Sequence, residues 1–162
     1  MAYSSAIVKT KRDGTVTLTD GAANSYIANF QVGDFSFEEV KPELIVIRDR
    51  ATIAGARKGD DQESTLSFTC HLRALTDSGN DALLDFINGT LSGSALTSTG
   101  GLGYEPFMCT VAYNINATAL GDSKQYTATF SKVELRASIT EGDPDSISIS
   151  GTVLGGIAYS AT

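Results

Sequence analysis

Residues 64–73, Ser-Thr-Leu-Ser-Phe-Thr-Cys-His-Leu-Arg, alternate polar and apolar side chains without a break. Leu66, Phe68, Cys70 and Leu72 fall on one side, and Thr65, Ser67, Thr69 and His71 on the other. Period two is the period of a strand with one buried face; a helix would scatter these residues around its axis. The same signal recurs along the chain, bounded by Gly, Asn and Asp, so the expected architecture is β-rich.

Thr15-Val16-Thr17-Leu18-Thr19 alternates, the turn-forming Asp20-Gly21-Ala22-Ala23-Asn24 follows, and Tyr26, Ala28, Phe30 and Val32 take alternate positions. Residues 15–32 therefore read as a β-hairpin. Gly33-Asp34 interrupts before Phe35-Ser36-Phe37, and Pro42 precedes Glu43–Arg48, whose apolar run predicts a strand buried on both faces. Phe107, Cys109, Val111, Tyr113 and Ile115 alternate again. In residues 125–139 the apolar phase runs Tyr126, Ala128, Phe130, then Val133, Leu135, Ala137, Ile139. That one-residue slip near Ser131-Lys132 is the mark of a β-bulge. A last strand spans Ser146–Val153.

One helix fits the pattern. Ser78 can cap it, Asp81 stands in the capping-box position, Leu83, Leu84 and Ile87 form its apolar stripe, and Gly89 can end it. Residues 91–105 read as a flexible connection. The expected fold is a single mainly β domain over residues 1–162: an antiparallel β-sandwich or barrel of seven to eight strands with one short flanking α-helix.

The chain offers little for catalysis. It has one histidine, His71, on the polar phase of its strand, and no G-x-S-x-G nucleophile motif. Cys70 and Cys109 lie on apolar phases and read as core residues, which leaves too few ligands for a zinc site. The carboxylate clusters at 60–63 and 141–145 lack calcium-loop spacing and read as solvated turns. Gly100-Gly101-Leu102-Gly103 lacks the Lys-Ser/Thr and the following helix of a phosphate cradle. The reading is therefore of a non-enzyme without metal or cofactor.

The first ten residues lack a basic start and an apolar run, and no stretch of about 18 apolar residues occurs, so neither export nor membrane spanning is expected. The net charge of −7 lies wholly in residues 61–162, because residues 1–60 balance at eight basic and eight acidic side chains. Specific nucleic-acid binding is not expected from such a chain, although DNA could slide past it without sticking.

Residues 48–63 stand apart. This stretch, expected to join two long strands, carries Arg48, Asp49, Arg50, Arg57, Lys58, Asp60, Asp61 and Glu63. It is far longer than a tight turn needs. The stretch reads either as a solvated loop or as an assembly loop ordered against a neighbouring copy, since both signs of charge on one excursion suit a head-to-tail contact; these eight residues are the candidate contacts of the second reading.

A polar N-terminal arm at 1–13, the Gly33-Asp34-Phe35-Ser36-Phe37 stretch, the charged excursion before Ser64–Arg73, a short capped helix and a closing set of antiparallel strands occur here in that order. This order resembles that of tail tube proteins of long-tailed bacteriophages, a fold also used by tubes of contractile tails, phage-like bacteriocins and type VI secretion. The resemblance implies a structural virion protein, made in the host bacterial cytoplasm, that forms hexameric rings stacked helically into a hollow conduit for DNA ejection. It implies that residues 48–63 contact the adjacent ring and that Lys9, Lys11 and Arg12 on the arm bridge neighbours. Implied partners are the protein itself, tape-measure, terminator and baseplate proteins, and a sheath if the tail contracts. The alternatives are another tail component, such as a terminator or hub, and a β-sandwich binding module. The in-phase aromatics Phe30, Phe68, Tyr126 and Phe130 and the lack of Trp argue against the module.

Overall fold

The computed structural model describes residues 14–28, 34–71, 83–91, 94–101, 106–115, 125–143 and 145–162. The strands are β1 (Gly14–Thr19), β2 (Ser25–Ala28), β3 (Ser36–Glu38), β4 (Leu44–Asp49), β5 (Thr52–Lys58) and β6 (Ser64–His71). After the helix α1 (Leu83–Asn88) come β7 (Thr90–Leu91), β8 (Ser94–Ala95), β9 (Cys109–Ile115), β10 (Tyr126–Thr140), β11 (Ser146–Val153) and β12 (Ile157–Ala161). Eight of them form one antiparallel sheet in the order β2-β1-β9-β10-β11-β6-β3, with β12 also paired to β10.

Alternation in the sequence becomes alternation in burial. Along β6, Leu66, Phe68 and Cys70 are buried while Thr65, Ser67 and His71 are exposed. The 15–19 and 25–28 segments form the expected hairpin, with Val16 opposite Ala28 and Leu18 opposite Tyr26. Phe30 and Val32 lie outside the described residues, as do Ser78, Asp81 and Leu72.

The sheet coils over itself, which makes two layers from one ladder. Side chains from distant parts of the strand order meet inside: Phe35, just before β3, stacks on Tyr113 of β9 with ring centroids 4.2 Å apart. Phe35 also stacks on Phe68 of β6, and Phe130 of β10 meets the edge of Phe37 at 5.1 Å. At the far edge the Tyr159 hydroxyl of β12 donates to Glu39 Oε2 at 2.9 Å, next to β3. Val16, Val111, Phe130 and Val133 are fully buried in this core, and Cys70 and Cys109 join them.

The slip near Ser131-Lys132 is a bulge. Val111 pairs with Phe130, but the next pairing is Cys109 with Val133, and Lys132 adopts φ 51°. The neighbouring edge of β10 answers with its own kink. Leu154 N donates to Lys132 O, Gly155 N to Ser131 O, and Gly156 takes φ 88°. β11 and β12 thus run as one strand broken opposite the bulge, and this kink releases Ile157–Ala161 as a strand beyond those expected.

Helix α1 buries Phe86 most deeply, with Leu83 beside it and Leu84 and Ile87 packed partly against the core. Gly89 ends it at φ 69°, the left-handed conformation of a helix terminator. A Cβ at Gly89 would lie 2.6 Å from Cγ of Phe107, which packs edge-on against Phe86. Gly89→Ala is therefore expected to cost about 2 kcal/mol, since a left-handed non-glycine residue costs about 1–2 before the clash is added. Urea unfolding with an unchanged midpoint would refute this.

Three expectations need correction. Residues 91–105 are not simply a loose connection: β7 and β8 pair, Leu96 is buried, and Gly21 N donates to Thr97 O at 2.7 Å. Residues 48–63 are not a loop, because 52–58 form β5 and pair back onto β4. The β4 run, expected to be buried on both faces, is largely exposed, with Leu44 at 66% and Ile47 at 49%. For β4 and β5 the physical reason is that they form a sheet of their own, with no other strand paired to them among the described residues.

Candidate assembly surface

The β4–β5 hairpin projects from the sheet as a two-stranded ribbon. Leu44 pairs with Lys58, Val46 with Ala56 and Ile47 with Gly55, then the register shifts so that Arg48 pairs with Ile53 and Asp49 with Thr52. Arg50 and Ala51 form the apex, both left-handed at φ 42° and 71°. This is the two-residue turn whose twist matches antiparallel strands, a place where Asn-Gly is favoured. Thr52 Oγ1 closes it by donating to Asp49 O at 2.5 Å.

At the root, Gly59 N donates to Glu43 O at 2.7 Å, and Val40 N donates to Ser64 Oγ at 3.0 Å. Lys58 pairs with Asp61. The eight residues predicted from sequence therefore fall into two groups rather than one patch. Arg48, Asp49 and Arg50 crowd the apex; Arg57, Lys58, Asp60, Asp61 and Glu63 belong to the root and the run into β6. About 20 Å separates the groups, given some six strand residues at 3.3 Å each. Lys9, Lys11 and Arg12 lie outside the described residues.

Charge reasoning missed the apolar part of this surface. Leu44, Val46, Ile47 and Ile53 are exposed, with Ile53 at 67%. Leu44 and Val46 lie on one face of β4 and Ile45 and Ile47 on the other, so the ribbon is apolar on both sides. The signal was present in the apolar run itself, which demands cover on both faces without saying which chain supplies it. An isolated two-stranded ribbon is marginal in water, so exposure on this scale marks a contact surface.

A second open feature is the far half of β10. Its pairing with β9 ends at Val133–Cys109, while β11 accompanies it to Thr140. Residues 134–140 thus carry a strand on one edge and none on the other among the described residues. Ala137 and Ile139, in phase with the core, are exposed there, Ile139 at 51%. Open edges of this kind pair with other chains unless they are blocked.

The reactive groups are quiet. Burial pushes the Cys109 thiol up to about 12; burial first, and then the Asp34 carboxylate, does the same to Cys70. Neither thiol is ionised near neutral pH. His71 is exposed at the end of β6. No group of three or more metal-ligating side chains occurs among the described residues, and no helix there is long and apolar enough to cross a membrane.

No protein-family model matches this chain, and no curated protein matches it in sequence. Solved structures do match in shape. A chain of the sheath–tube complex of the extracellular contractile injection system PVC, in its extended state, superposes with a TM-score of 0.62 at 14% identity, covering 100% of both chains. A chain of the tube-terminating cap of the anti-feeding prophage gives 0.59 at 14%, covering 100% of this chain and 95% of that one. The sheath/tube terminator of PVC gives 0.58 at 14%, covering 99% of each. This chain therefore shares its fold with chains found in these contractile injection assemblies.

Proposed function

We propose that this chain is a non-catalytic structural subunit of a phage-like tail or injection tube, built by self-assembly. The observation that carries this reading is the β4–β5 ribbon, which exposes Leu44, Val46, Ile47 and Ile53 and pairs with no other strand among the described residues. The edge of β10 at 134–140, unpaired among the described residues, supplies the second contact a closed assembly needs, because pairing across copies satisfies strand edges. Rings of six copies stacked into a hollow conduit are the arrangement in which both surfaces would be used. The shape likeness to injection-system components supports a contractile apparatus with a sheath as readily as a phage tail that ejects DNA. A terminator or cap, rather than the repeating tube, is the second reading, favoured by the two terminating structures among the matches.

Negative-stain microscopy of the purified protein tests this. Rings or tubes are expected from the wild type. Ile53→Asp should leave dispersed chains with an unchanged melting temperature, since Ile53 contributes nothing to the buried core. A wild-type protein that stays monomeric at high concentration would refute self-assembly, and rings that never stack would favour the terminator reading.

A further inference from the structure

The apex of the hairpin carries a residue that its backbone does not favour. Arg50 sits at φ 42° and Ala51 at 71°, a pair of left-handed positions that glycine or asparagine would occupy without strain. A strained position that keeps a long cationic side chain points to a use for that side chain. Arg50 is exposed beside Arg48 and Asp49, so the apex is net positive, and no hydrogen bond or ion pair engages the Arg50 side chain among the described residues.

At the root of the same hairpin lies a cleft between the 39–42 and 58–64 segments and the Val153–Ile157 kink. Its charged lining is Glu39, Lys58 and Asp61, net negative, with Lys58 held on Asp61 and Glu39 on the Tyr159 hydroxyl. Leu154, half exposed, gives it an apolar wall. A cleft with carboxylates and an apolar wall suits a guanidinium on a hydrocarbon stem.

We propose that Arg50 at the apex of one copy seats in the root cleft of the next, its guanidinium against Glu39 and Asp61 and its stem along Leu154. The contact rests on the self-assembly reading and gives it a polarity. Apex and cleft are different surfaces of one chain, so each copy offers both, and the contact repeats head to tail.

The test compares the critical concentration for assembly, by sedimentation and light scattering, of wild type and apex variants. Arg50→Glu should raise it about tenfold or more, and Arg50→Glu with Glu39→Arg should restore most of the loss. Arg50→Gly should raise the melting temperature of the unassembled chain, because the backbone relaxes, yet weaken assembly as Arg50→Glu does. A cysteine pair, Arg50→Cys with Leu154→Cys, should give ladders of disulfide-linked chains on oxidation of the assembly, with Cys70 and Cys109 too buried to contribute. If wild type assembles but Arg50→Glu assembles equally well, or the cysteine pair gives no ladder, the contact is refuted and self-assembly stands. If wild type does not assemble at all, both fall.

Discussion

Phe130→Ala is expected to lower stability by about 4 kcal/mol, the usual cost of deleting a fully buried aromatic side chain. Phe130 is wholly excluded from solvent and faces Phe37 at 5.1 Å and Phe35 at 6.1 Å. It sits where the coiled sheet closes on itself, against Phe37 of β3 and Phe35 just before it. A domain of this size is stable by only about 5–15 kcal/mol, so the variant should unfold at much lower urea than wild type. Phe37→Ala is the control. Phe37 remains 39% exposed at the sheet edge, and its loss should cost about 1–2 kcal/mol, in proportion to the smaller area buried. Equal losses for the two would mean that the aromatic cluster does not hold the layers together.

Asp20→Ala should have the second-largest effect, about 3 kcal/mol, because it strands several donors that a charged acceptor now satisfies. Asp20 is buried in the turn between β1 and β2. Its Oδ1 accepts from Ala22 N at 2.9 Å and Asn24 N at 2.7 Å, and its Oδ2 from Asn24 Nδ2 at 2.9 Å and Thr97 N at 3.1 Å. The carboxylate therefore shapes the turn and also fastens the segment after β8 to it. Burial, the largest single influence, pushes its carboxyl up, but the hydrogen bonds together outweigh burial and hold it below 3.8. A value lower in the folded than in the unfolded chain means the stabilisation is complete above pH 3.8 and is lost as pH falls through the lower folded value. Asp20→Asn keeps one acceptor and should fall between wild type and Asp20→Ala. Urea midpoints measured from pH 7 to pH 2 should show the gap between wild type and Asp20→Asn narrowing at the acid end. A constant gap would mean the charge contributes nothing.

Much of the fold could be read from local pattern because each strand's buried face follows from its own alternation. Leu66, Phe68 and Cys70 are inside because period two places them together, whichever strands lie alongside. The bulge at Ser131-Lys132 was readable for the same reason, since a change of phase must be absorbed where it occurs. The Asp20–Asn24 turn and the Gly89 helix end were likewise local chemistry. The assembly surface was legible only in part. Its charges drew notice at 48–63, while Leu44, Val46 and Ile47 looked like core, because an apolar run reports the need for cover and not its source.

Residue order alone therefore settled which side chains share a face, where strands break and where the helix stops, since these depend on neighbours within a few positions. Tertiary structure decided that β4 and β5 leave the sheet as a separate ribbon, that β12 follows the kink after β11, and that β10 beyond Val133 has no second partner among the described residues. Those outcomes depend on competition among strands distant in the chain for a limited number of edges, and no single segment encodes how that competition ends.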